Sequence, residues 1–265
     1  MLPELKGIRT IRQLTEFTHT ELGAFFSKEV KIDPAPASIL DMKARWQDLG
    51  FVEFDPVFFN GARFPSEAKY SGWKRKPNEW FYHQVREAKV AGSPLVLRRG
   101  WALVDTSTRP NYRTDGSQTF NDDQFSTIMT DLRVDKKVGI PIDNPDLKLN
   151  SRFAISKDDV GEVIYPEIAR TLLRVGEGRV TNLKAIEFIF LRNLRYQHFV
   201  EGHDTWEFFD DSYSVGPGSG SLTLRGGNGE EGLSSAVDYC STFNRLSRNC
   251  FRPVIFVGAH LAVIK

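Results

Sequence analysis

The side chains best able to do chemistry in this sequence are five histidines, two cysteines and one run of acids. His198 and His203 bracket Glu201 in the stretch HFVEGH. Residues five apart do not share a helix face, and no other ligand type lies near in sequence, so no metal site is expected there. His19, His83 and His260 stand apart from them. Asp204, Glu207, Asp210 and Asp211 gather around Trp206. Paired carboxylates can move protons or hold calcium. They also cap turns and meet arginines such as Arg225, Arg245 and Arg252, and this structural role is the one expected. Glycosidase chemistry needs two carboxylates across a sugar cleft, and nothing in the sequence marks one. Cys240 and Cys250 are the only cysteines. They could form one bridge, act in redox chemistry, bind a soft metal or remain thiols; ordinary membership of an exposed segment is the reading preferred. The chain contains no P-loop, no GxGxxG after a strand, and no HExxH, CxxC or GxSxG.

The elements that must position these residues are legible in outline. With 265 residues, 40% hydrophobic and 26% charged, the chain can bury a sizeable core as one large domain, or one domain and a smaller one. A net charge of +1 offers no basic stripe for nucleic acid. The 20 Phe, 7 Tyr and 5 Trp argue for packing over disorder. No early segment reads as a signal peptide or a membrane span, so no membrane insertion is expected.

Ile8, Ile11, Leu14, Phe17 and Leu22 follow a helical period, and KIDPAPAS ends it. SILDMKARWQDLG reads as a short helix, with Ser38 as N-cap and Gly50 as stop. FVEFDPVFFNGARF alternates and meets an Asn-Gly turn; SPLVLRRGWALVDTS reads as one or two buried strands. KYSGWKRKPNEW is a solvated basic loop in this reading, and TRPNYRTDGSQTFNDDQF a long polar surface loop. DDVGEVIYPEIARTLLR makes a helix against the mild objection of Pro166. A second helix starts in RVTNLKAIEFIFLRNLR with Thr181 as N-cap. RPVIFVGAHLAVI closes the chain as a buried strand that pairs with an earlier one. The class is α+β, with residues 1–70 a partly helical N-terminal attachment segment and 71–265 the ligand-binding domain.

Three pieces, in order, carry a resemblance. GRVTNLKAIEF resembles the R-x-P/L-T-x-x-E-W/F helix start of the formylglycine-generating-enzyme branch of the C-type lectin fold. HDTWEFFDD resembles that branch's G-N-x-W-E-W-x-x-D. LTLRGGN…FRPVIF resembles its RGG-S/N…GFR ending. The branch holds oxidases and also the variable proteins of diversity-generating retroelements, whose C-terminal segment is rewritten at adenines, mostly in AAY codons. The resemblance implies two helices, short antiparallel sheets, long loops and a variable region of about 225–256. It also implies a compositional test, because NNY codons cannot encode Lys, Glu, Gln, Met or Trp. These types make up 44 of the 265 residues, about one in six, yet the 21 residues from Gly232 to Arg252 contain none. The oxidases' closely spaced cysteine pair and the iron-binding helical domain of the related sulfoxide synthases are not recognisable, and Cys250 stands where GFR has its Gly.

The resemblance therefore implies a ligand-binding protein with no catalysis, cofactor or metal, recognising a protein or glycan on a cell or partner surface, as a component of a virion or cell surface. Trp206, Arg225, Gly226, Gly227, Phe251, Arg252, Val254 and Phe256 would form its frame, the two glycines supplying backbone shapes closed to other residues. Asn228, Ser234, Ser235, Asp238, Tyr239, Cys240, Ser241, Phe243, Asn249 and Cys250 would be displayed, with Tyr239 and Phe243 as hot spots. The rival implications are a metal-dependent oxidase using Cys240 and Cys250, and a structural virion protein whose irregular segment is merely a loop.

Overall fold

The computed structural model describes residues 5–107, 110–112, 118–120, 122–140, 147–196, 205–216, 220–227 and 236–258. Helices and two four-stranded sheets alternate through them, which is the expected α+β class. The first long element is α1 (Ile11–Phe26), opened by a capping box between Thr10 and Gln13 and closed by Ser27 in the left-handed region. Its buried face carries Leu14, Phe17, Leu22, Phe25 and Phe26. In α2 (Ser38–Asp48), Ser38 is already helical; Ala37 holds the cap position and makes no side-chain capping bond. Gly50 follows at φ +90°, as a helix stop requires.

The first sheet has the order β1-β2-β10-β5, with β1 (Phe54–Asn60), β2 (Arg99–Asp105), β5 (Gly178–Asn182) and β10 (Pro253–Val257) all antiparallel to their neighbours. The closing strand thus lies between two earlier ones, because Val254, Ile255 and Phe256 bury both faces and need ladder partners on both edges. Pro56 is tolerated in β1 because that strand is an edge.

Between these strands the chain departs from several expectations. Glu79–Arg86 forms helix α3, capped by the Asn78 side chain, so the last two residues of the stretch read as a basic loop, Glu79 and Trp80, are helical. The long polar loop contains the hairpin β3 (Pro110–Tyr112) and β4 (Gln118–Phe120), and helix α4 (Ser126–Val134) follows. The helix around Pro166 is a composite: α5 (Lys157–Asp159), a π-helix (Val160–Ile164) and α6 (Tyr165–Leu172). Pro166 sits in the first turn of α6, directly after the π turn. Thr181 is not an N-cap but a strand residue of β5 opposite Val254; α7 (Ala185–Leu194) starts four residues past it. Glu187 reaches back to the Lys184 N–H at 2.9 Å to satisfy that helix end.

The second sheet has the order β8-β7-β6-β9, with β6 (Trp206–Tyr213), β7 (Leu222–Gly227), β8 (Ala236–Ser241) and β9 (Asn249–Cys250). The irregular segment between Gly232 and Arg252 contains a regular strand, β8, paired along all of β7. One buried apolar cluster spans Leu14 and Phe25 of α1, Phe58 and Phe59 of β1, Phe190 of α7, and Phe256. The expected boundary near residue 70 falls after β1, which is paired with β2 at seven positions, so both sides of it share a sheet and a core. No helix among the described residues is long and apolar enough to cross a membrane.

Candidate functional site

The segment from β7 to β10 is held by charges that have left water. Arg252, almost fully buried, forms a fork with Glu207 of β6, its Nε donating at 2.9–3.0 Å and Nη2 at 2.8 Å. Its Nη1 donates to the carbonyls of Asp105 and Ser107, tying the start of β10 to the end of β2. Beside it the buried Arg152 donates to Asp105 at 2.7 Å and grips both carboxylate oxygens of Asp123. Its guanidinium lies over the rings of Phe120, Phe125 and Phe251. Burial alone would raise the Asp105 carboxyl, but Arg152 and Arg252 hold it below the usual range.

In the second sheet, Arg225 of β7 acts as a comparable clamp. It stacks on Trp206, donates to the buried Asn249 at 2.9 Å and to the part-exposed Asp238 at 3.1 Å. Gly227 is required by contact. A Cβ there would sit 1.7 Å from the Thr205 carbonyl oxygen. Neither Gly226 nor Gly227 is at positive φ, so the expected unusual backbone is replaced, at Gly227, by a close approach to Thr205.

Against this frame two aromatic side chains stand out to solvent: Tyr239 at 39% and Phe243 at 67% exposure. Asp238 and Ser241 are half-buried. Tyr239 is not isolated. Its ring is near-parallel to that of Trp80 on α3, 6.0 Å away, and 4.6 Å from that of Tyr213, whose hydroxyl donates to Gln84 at 2.9 Å. The Asn78 side chain caps α3 and donates to the Val237 carbonyl at 3.2 Å, which blunts the open edge of β8 and fixes the helix beside it.

Three of the residues expected on display are interior. Asn249 is a brace, accepting from Arg225 and donating to the Asn244 carbonyl. Cys250 packs against Phe120 and Phe153. Cys240 is buried in the main core. Burial raises both thiols, Cys240 to about 11 and Cys250 well above its ordinary value, so neither is a ready thiolate. They sit on β8 and β9, the two edges of a four-stranded sheet, separated by three strand spacings, about 14 Å, and by a further offset along the strands. That exceeds the reach of a disulfide or of one shared metal ion. Asn228, Ser234 and Ser235 lie outside the described residues, as do His198, Glu201, His203, Asp204 and His260. Among the described residues no group of three metal-ligating side chains gathers.

The acidic run takes the structural role expected of it. Glu207 pairs with Arg252, Asp210 lies 3.4 Å from Arg98, and the buried Asp211 accepts the Ala185 N–H at 2.7 Å at the start of α7. Burial pushes Asp211 up to about 7, outweighing the Ala185 N–H and the Lys184 charge that pull it down. Glu187 is as buried, but Arg98 forks onto it and keeps it below its usual value.

No protein-family model, curated protein or solved structure matches the chain. What the geometry offers is a rigid, charge-clamped frame bearing exposed aromatics at one sheet edge. Sequence reasoning missed Trp80 and Tyr213 because they come from elements far from the segment. The Asn78-Glu79 start of a helix was the one local signal for α3.

Proposed function

We propose that this chain is a ligand-binding protein, without catalysis, that displays a hypervariable surface on a C-type lectin-like scaffold. A retroelement diversifies that surface for recognition of a receptor or other cell-surface ligand, protein or glycan. The observation that carries the reading is the division of labour inside one segment. The 21 residues lacking Lys, Glu, Gln, Met and Trp run through a frame of Phe251 and Arg252, buried, and through Tyr239 and Phe243, exposed. Phe251 packs against Phe125 and Tyr165 and Arg252 is forked onto Glu207, so the frame is anchored outside the segment. Exposed substitutions on such a frame change stability by only about ±0.5 kcal/mol. The insertion of β10 between β2 and β5 and the presence of a second short sheet support the lectin-type scaffold. The metal-dependent oxidase reading gains nothing from two buried thiols on opposite sheet edges.

Deep sequencing of the 3′ end of the gene in its source population tests the proposal, together with a search of flanking DNA for a near-copy of codons 225–256. Adenine-matched differences concentrated at codons such as those of Tyr239 and Phe243, and sparing Arg252 and Phe251, are expected. One invariant sequence without a neighbouring copy refutes the diversification.

A further inference from the structure

We infer that Trp80, which lies well outside the varied segment, is a fixed half of the binding surface and contacts a protein ligand directly. The inference rests on the binding reading above. Four of the five tryptophans are buried, at 0% (Trp46), 4% (Trp73), 3% (Trp101) and 9% (Trp206). Trp80 is the exception, half-buried on α3. Its ring is near-parallel to that of Tyr239 at 6.0 Å and 5.6 Å from that of Tyr213, so the three rings make one platform with contributions from α3, β6 and β8.

The platform is held rigid from behind. Tyr213 is buried and bonded to the buried Gln84, and Asn78 pins α3 to the β8 backbone. A pre-ordered Trp loses little side-chain freedom on binding and offers a large apolar area, which is why Trp and Tyr dominate protein-binding hot spots. Phe243 at the C-terminal end of β8 and Val215, 51% exposed past the C-terminal end of β6, extend apolar surface at that end of the sheet. Aromatic side chains are enriched at the cores of protein–protein interfaces, and a protein epitope is the ligand that fits this apolar patch. Sequence change at codon 239 alters one face of the platform and leaves Trp80 in place. Different ligands would then share one anchor while differing in their other contacts.

The full chain, displayed on yeast with Asp238, Tyr239, Ser241 and Phe243 randomised, is selected against ubiquitin, a target without tryptophan. Introducing Trp80→Ala into the selected binders is expected to cost about tenfold or more in affinity, and Trp80→Phe distinctly less, at unchanged display level. Acrylamide quenching of protein fluorescence, to which Trp80 is the most accessible contributor, should fall when ubiquitin binds. This second readout needs no variant and decides the matter if Trp80→Ala fails to display. Binders that keep their affinity without Trp80, or whose quenching is unchanged on binding, overturn the inference. A well-displayed library that yields no binders overturns the underlying reading of the surface.

Discussion

Arg252 and Glu207 have both surrendered their hydration, so each depends on the other. Removing one partner leaves an uncompensated buried charge. Arg252→Ala should therefore cost about 3–5 kcal/mol, read as a lower urea midpoint. Phe243→Ala should shift stability by no more than about 0.5 kcal/mol, since the ring stands in water. Tyr239→Ala is intermediate, costing about 0.5–1.5 kcal/mol, because it deletes ring contacts to Trp80 and Tyr213. Sequence reasoning groups Tyr239 with Phe243 as a display residue; its contact with α3 separates the two. Equal losses at all three positions would contradict the division between frame and display. Asp211 supplies a pH signature. Its folded value, about 7, lies above the ordinary 3.8, so the native state holds this proton more tightly than the unfolded chain. The associated stability is complete below about pH 4 and is lost as pH rises toward 7. Asp211→Asn keeps an acceptor for the Ala185 N–H and removes the titration. Its melting temperature relative to wild type should rise between pH 5 and pH 8; a pH-independent difference would show that the carboxyl is not held neutral.

At the scale of elements, β7 and β6 depend on a close approach. Gly227→Ala puts a methyl group into the Thr205 carbonyl and should cost about 3 kcal/mol or more, because backbone on both sides must move. Sheet order makes the cysteines independent. Intact-mass analysis of the folded protein after mild oxidation should show no internal bridge between Cys240 and Cys250, and loss of two mass units without dimerisation would refute the order β8-β7-β6-β9. The helices α1 and α2 and the strand β10 are legible in sequence because their patterns are local: a 3.6-residue apolar period, or a β-branched run. β8 is not. All of it pairs with β7, but its side chains run from buried Val237 through half-buried Asp238 and exposed Tyr239, stacked beside α3, to buried Cys240, so no two-residue hydrophobic rhythm survives. Thr181 reads as a helix cap because Thr before an apolar run usually is one. Pairing with β10 overrides that preference.

For the whole molecule, the N-terminal 70 residues behave as a component of the core. Phe25 packs edge-on to Phe64, Trp73 and Phe190, and Glu21 of α1 is ion-paired at 2.8 Å to Arg195 beyond α7. β1 supplies the edge of the first sheet. A chain beginning at residue 71 should therefore lack a cooperative thermal transition, as followed by circular dichroism, whereas an independent ligand-binding domain would melt normally.

The class, the major helices, the closing strand and the compositional gap from Gly232 to Arg252 can all be read from the primary structure, since each is a property of neighbouring residues or of counting. So can the pairing of the acids around Trp206 with arginines and turns, because those charges are too many to bury unpaired. Which members of the segment face solvent is settled instead by long-range contacts. Asn249, Cys240 and Cys250 are as small and polarisable as displayed residues, and it is the strand order and the arginine clamps that turn them inward. Trp80 comes to stand beside Tyr239 for the same reason: a contact spanning so many residues is set by how α3 docks on β8, through Asn78 and the Val237 carbonyl, and by no pattern within either stretch.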